Sequence, residues 1–136
     1  MIVASEELAQ ERGLEVLATI VAQGYVADDF AYLARTPANA AAQALAKAGA
    51  SIADVRRIEI NEAFASVAWH STQLLGAGEE IVNVNGGAIA LGHPIGASGG
   101  RIVGTLVHEL RRSGGGLGLA AICSGGGQGD ALLIDV

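Results

Sequence analysis

The chain has 136 residues, of which 51% are hydrophobic and only 4% aromatic, with a formal net charge of -6. That length suits one domain whose core is built from Ala, Val, Ile and Leu, as layered α/β packing requires. The acidic balance argues against a nucleic-acid surface, no apolar run is long enough to cross a bilayer, and no signal-peptide n-region is visible.

Met1-Ile2-Val3-Ala4 reads as the tail of a buried strand, too short to make its own sheet. It is expected to add to a sheet elsewhere or to mark a cut. Ser5 is a helix N-cap, with Glu6 and Glu7 at the positive end of the dipole and Gly13 as the stop. Leu17 to Val21 is the first strand, ended by Gly24, and Val26 to Arg35 reads as a loop. Thr36-Pro37 gives an N-cap with proline at the first helical position, and Ala-rich sequence follows to Ala48 before Gly49.

Ser51-Ile52-Ala53-Asp54 has capping-box spacing. Ile58 to Ile60 is the second strand, and Ala63 to Leu75 a helix closed by Gly76. Ile81 to Val84 is the third strand. Residues 85–101 then hold six glycines in seventeen positions, around a single histidine, His93. A chain keeps such a run where backbone bends tightly or approaches a ligand. Ile102, Val103, Leu106, Val107 and Leu110 recur at helical spacing. Leu117 to Ile122 is the fourth strand, ending at Cys123, and a glycine turn leads to a last strand at Ala131 to Ile134.

The order is β-α-β-α-β-α-β-β after a leading helix, which predicts a five-stranded mixed α/β sheet covered by helices. Its last two strands are expected to be antiparallel. Asn61, His93 and Cys123 fall after successive strands, so the order alone brings them to one edge of the sheet, where open α/β sheets bind ligands. Asn61 could equally be a cap and Cys123 an inert buried thiol. His70 and His108 lie inside helices and are assigned to helix surface or core. No second ligand stands at metal spacing from His93, and the glycine runs match neither a P-loop nor a G-x-G-x-x-G element. A single cysteine excludes an internal disulfide and suits a reducing compartment, so a cytoplasmic location is expected.

Three motifs in order carry a resemblance. Asn61-Glu62-Ala63-Phe64 resembles the thiolase N-E-A-F motif. Gly92-His93-Pro94-Ile95-Gly96-Ala97-Ser98-Gly99 is similar to G-H-P-x-G-x-S-G, and Cys123-Ser124-Gly125-Gly126-Gly127-Gln128-Gly129 to C-x-G-G-G-x-G. The resemblance covers nearly the whole chain, and only the C-terminal half of a thiolase. It implies one domain over residues 1–136, with residues 1–4 matching the end of the other half's last strand.

The activity it implies is thiolysis of a 3-ketoacyl-CoA, or the reverse Claisen condensation, with coenzyme A thioesters as substrates and no resident cofactor. His93 would activate a nucleophilic cysteine and help bind the thioester oxyanion, and Asn61 would hold a water completing that site. Cys123 would be the acid/base, and the Gly125 N–H would donate to a second oxyanion. The family's nucleophilic cysteine belongs to the N-terminal half and is missing here. The chain is therefore expected to be inactive alone and to need that half, within a homo-oligomeric complete enzyme. Where the family often has Met before a Gly-x-Gly-Pro run, this chain has Ala31-Tyr32-Leu33-Ala34-Arg35 before Thr36-Pro37. The alternatives are a non-catalytic thiolase-like scaffold subunit and a ketoacyl-synthase relative. The C-x-G-G-G motif argues against the latter.

Overall fold

Local signals set most element boundaries in the computed structural model, which describes residues 1–136. Helix α1 (Glu6–Glu11) begins where the Ser5 hydroxyl accepts the Leu8 N–H at 3.2 Å. Strand β1 spans Thr19–Ala27 and helix α2 Thr36–Ala48. Strand β2 is Val55–Ile60 and helix α3 Ala65–Leu75. A single turn, α4 (Ala88–Leu91), precedes the long helix α5 (Ser98–Ser113). Strands β3 (Leu117–Ser124) and β4 (Gln128–Asp135) finish the chain. Gly49 and Gly76 close α2 and α3 at φ of 66° and 65°, a left-handed geometry that favours glycine. The Ser51–Asp54 capping box forms, with the Ser51 N–H and hydroxyl both donating to Asp54 at 2.8 Å.

The sheet has four strands in the order β1-β4-β3-β2, not five. β2 and β3 run parallel, while β4 is antiparallel to both β3 and β1. The expected strand at Ile81 to Val84 is replaced by a 3-10 turn at Glu79–Ile81 and one isolated bridge, Ile58 to Val82. The cause is Asn83. It turns to a left-handed φ of 48°, and its side chain takes over the pairing. Its Oδ1 accepts the Ile60 N–H at 2.8 Å and its Nδ2 donates to the Ile60 carbonyl at 2.9 Å. With β2's edge satisfied by a side chain, no backbone ladder propagates.

Three further expectations change. Gly24 does not end β1 but lies inside it, because α2 packs so closely that a Cβ there would collide with the Ala40 carbonyl. Val26 to Arg35 is not a loop: β1 runs to Ala27, and Phe30–Arg35 is a 3-10 turn leading directly into α2. Thr36 is consequently not an N-cap, since Arg35 before it already has helical angles. Its hydroxyl instead sits 2.7 Å from the Gln128 carbonyl and 2.9 Å from that of Leu33, tying α2 to β4.

Helices cover both faces. On one, Ala40, Ala41, Ala44 and Leu45 of α2 and Ala68 of α3 meet Ile58, Ile60, Leu119, Ala121 and Leu133. On the other, Ile102, Val103, Leu106, Val107 and Leu110 of α5 meet Ala120 and Ile134. Gly24 opposite Ala40 and Ala44, and Gly129 opposite Thr36, let α2 lie close on the sheet, which is how an aromatic-poor chain packs tightly. Residues 1–4 belong to no helix or strand and are exposed.

Candidate active site

Asn61 is the first residue beyond β2, and its N–H donates to the Ala121 carbonyl of β3 at 2.9 Å. Strand alternation turns it, like Arg57 and Glu59, toward α5. It is fully buried. His93 lies between α4 and α5, on a turn that Gly92 enters at a φ of 97°. Its ring is exposed and comes back over Asn61, whose Nδ2 is 3.3 Å from Nε2 and 3.5 Å from Nδ1.

The surrounding hydrogen bonds support one assignment of the protons. Ser98, buried at the start of α5, has its hydroxyl 3.1 Å from the Pro94 carbonyl, which takes its one proton. Its oxygen then accepts from His93 Nδ1 at 2.6 Å. The lone pair is then on Nε2, and Asn61 Nδ2, nearly equidistant from the two ring nitrogens, packs beside the ring and not on the line of that lone pair. The Asn61 amide is itself oriented by Arg101, whose Nη2 donates to Oδ1 at 3.3 Å. One directional run is assigned from the network, His93 Nδ1 to Ser98 to Pro94, while Arg101 separately holds the Asn61 amide beside the ring. The exposed end of the run is the His93 ring, with Nε2 the nitrogen not tied to Ser98.

Cys123 lies near the C-terminal end of β3, paired with Gly129, on the same sheet edge as Asn61. The structure does not bring it into this chain of bonds. Alternation sends it, like Leu119 and Ala121, toward the α2 side. The thiol is free and buried, and burial pushes its pKa up, opposed only by its own backbone N–H. It is a thiol at neutral pH. Gly125 stands two residues on, exposed at the hairpin turn, with open space where a Cβ would point and its N–H in none of the loop and turn bonds. His70 is partly buried in α3 and His108 exposed on α5, away from this cluster.

Residues the sequence reading left without a role complete the surroundings. Glu62 accepts the Ile89 N–H at 2.9 Å and the Asn83 amide at 3.0 Å, stitching α4 to the end of β2. Glu59 is buried beside Arg101, its Oε2 3.9 Å from Nη1. Burial drives its pKa from 4.5 to about 7; Arg101 pulls it back, and Glu62 and Glu109 add to the rise. Ser98 and Arg101 could have been suspected from their place in the glycine-rich run. Glu59 carries no such signal.

A helix-covered mixed sheet that presents an asparagine–histidine pair at its strand ends agrees with what the resemblance to a thiolase half implies. The profile of the thiolase C-terminal domain matches residues 14–136, and the chain belongs to that family. It is 51% identical over 134 residues to a probable acetyl-CoA acetyltransferase of Mycobacterium tuberculosis, covering 98% of this chain and 34% of that protein. The cytosolic acetyl-CoA acetyltransferase of Mus musculus is 49% identical over 126 residues, covering 93% and 32% respectively. A crystal structure of the Bacillus anthracis acetyl-CoA acetyltransferase superposes with a TM-score of 0.92 at 44% identity, over 96% of this chain and 33% of that one. The chain thus spans about a third of the length of the relatives it matches. No helix is long and apolar enough to cross a membrane.

Proposed function

We propose that this chain supplies the histidine, asparagine and acid/base thiol of a cytoplasmic acetyl-CoA acetyltransferase, acting with an N-terminal portion, of the same gene product or of a separate chain, that carries the nucleophile. The carrying observation is the Asn61–His93 contact at 3.3 Å, with Nδ1 tied to Ser98. This leaves Nε2 free to take the proton of an incoming cysteine thiol, generating the thiolate that attacks an acyl-CoA carbonyl. The protonated imidazole and a water held by Asn61 then face the developing oxyanion. Cys123, kept protonated by burial, is suited to give its proton to a leaving thiolate or enolate and to recover it from an α-carbon. The free Gly125 N–H supports a second oxyanion site.

Cys123 is the sole sulfur nucleophile in the sequence and is not proposed as the attacking group. The isolated chain is therefore inactive. Exposed Phe64, Ile89 and Ile95 on the segments around the site are the apolar surface that the N-terminal portion would cover, within a homo-oligomeric complete enzyme. The intact hydrogen-bonded chain favours this reading over a scaffold subunit, which would need no oriented imidazole. The test is cleavage of acetoacetyl-CoA by this chain combined with a thiolase N-terminal half. Turnover is expected only in the mixture and is abolished by His93→Ala. Turnover by the chain alone, or undiminished turnover in that variant, overturns the assignment.

A further inference from the structure

His93 stands on a stretch with almost nothing packed over it. Every residue from 89 to 97 is exposed, while Ala88 before them and Ser98 after them are buried. Burial therefore does not decide where the imidazole stands, and the polar ties at the two ends of the stretch do. At the far end the ties run to α5, through Ser98 to His93 and Pro94. At the near end the tie is Glu62. The Ile89 N–H is a first-turn donor that α4 cannot satisfy within itself, and it donates to Glu62 Oε2 at 2.9 Å. Glu62 directly follows Asn61, so this bond registers α4 against the backbone that carries the asparagine.

The carboxylate that makes the tie is itself fixed. Its other oxygen, Oε1, accepts from Asn83 Nδ2 at 3.0 Å. Asn83 cannot turn its amide over, because that amide also pairs with both backbone groups of Ile60. Two N–H donors thus meet two acceptor oxygens, and a glutamine would turn its NH2 toward one of them. Gly87 leaves the room: it is buried, and a Cβ there would fall on the Glu62 carboxyl group. We infer that Glu62 is a positioning residue whose carboxylate, in the space kept open by Gly87, ties α4 to the end of β2 and so sets His93 against Asn61. The inference rests on the proposed working roles of Asn61 and His93, while its first readout needs no turnover.

The experiment begins with proton NMR of this chain, reading the nuclear Overhauser cross-peaks between the His93 ring protons and the Asn61 side-chain amide. The unmodified chain is expected to show them. Glu62→Met, which fills similar space without an acceptor oxygen, should lose them, and Glu62→Gln, which keeps one acceptor, should fall between. The second readout is turnover of the chain complemented with an N-terminal half, for Glu62→Ala, Gly87→Ala and the double variant. Each single change should lower kcat by roughly 10–100-fold with little change in KM, the scale of a misplaced catalytic group. A methyl on residue 87 and the carboxylate compete for one space, so the double variant should be no slower than Glu62→Ala alone. A merely structural Glu62 would lower the unfolding midpoint and leave the cross-peaks and the kcat of folded protein unchanged. Should Glu62→Ala fail to fold, the cross-peaks of Glu62→Met and the kcat of Gly87→Ala decide. Cross-peaks absent from the unmodified chain or undiminished in folded Glu62→Met, or kcat losses that simply multiply in the double variant, overturn the inference. Absence of any turnover in the unmodified mixture would refute the proposed function and leave the cross-peak result standing.

Discussion

Replacing Glu59 by Gln tests whether a buried carboxyl is held against its ordinary ionisation. The side chain is 3% exposed, and burial is the main cause of its rise from 4.5 to about 7. The folded state therefore holds a proton that the unfolded chain has released between those two values. Stability that depends on the protonated acid is complete below about pH 4.5, is lost as pH rises through about 7, and is level beyond. At about 1.4 kcal/mol per tenfold change, the interval corresponds to about 3 kcal/mol. Glu59→Gln cannot ionise and lacks this term, while every other titrating group is common to both proteins. Urea unfolding monitored by circular dichroism, at about pH 5 and about pH 8, gives the difference between the two proteins at each pH. Relative to the Gln variant, the unmodified chain should lose about 2–3 kcal/mol on going to the higher pH. A difference that stays constant, or one that favours the unmodified chain at alkaline pH, would refute a carboxyl buried at a cost.

Two predictions concern the packing that holds the site. Gly24→Ala should destabilise by about 2 kcal/mol or more, because its Cβ would strike the Ala40 carbonyl and push α2 off the sheet; thermal unfolding checks this, and an unshifted midpoint refutes the close approach. Leu119→Ala removes a fully buried side chain from the middle of the sheet and should cost about 2–5 kcal/mol by urea titration. A loss well under about 1 kcal/mol would mean the core on the α2 side is looser than described.

What could be read from the sequence, and what could not, follows the range of the forces involved. Helix stops at Gly49 and Gly76, the Ser5 cap and the Ser51–Asp54 box are short-range features and form as expected. His93 stood out because a histidine among glycines has few purely local reasons to be there, whereas Asn61, readable locally as a helix cap, was marked by its place at a strand end and by its motif. Gly24 misled for a tertiary reason: read locally it breaks a strand, whereas here it makes room for a helix. The absent fifth strand has a similar origin, since Ile81 to Val84 has strand composition but Asn83 satisfies the β2 edge with its amide. Glu59 was invisible because an ordinary-looking charge becomes informative only once its burial is known, and Arg101 had only its place in the glycine-rich run to mark it.

The site has a buried side and an open side, and they do different work. Asn61 and Ser98 are wholly enclosed, so the groups that orient the imidazole are shielded from competing water. His93 itself is exposed, and Phe64, Ile89 and Ile95 on neighbouring segments are 65%, 67% and 86% exposed. An imidazole facing open water would exchange its hydrogen bonds freely and gain little from a fixed tautomer. The orientation is useful only if the open side is also closed, because preorganised donors act strongly where water is excluded. Apolar side chains around an oriented ring are what such closure requires, and the role proposed for His93 therefore depends on an apolar cover over its open side.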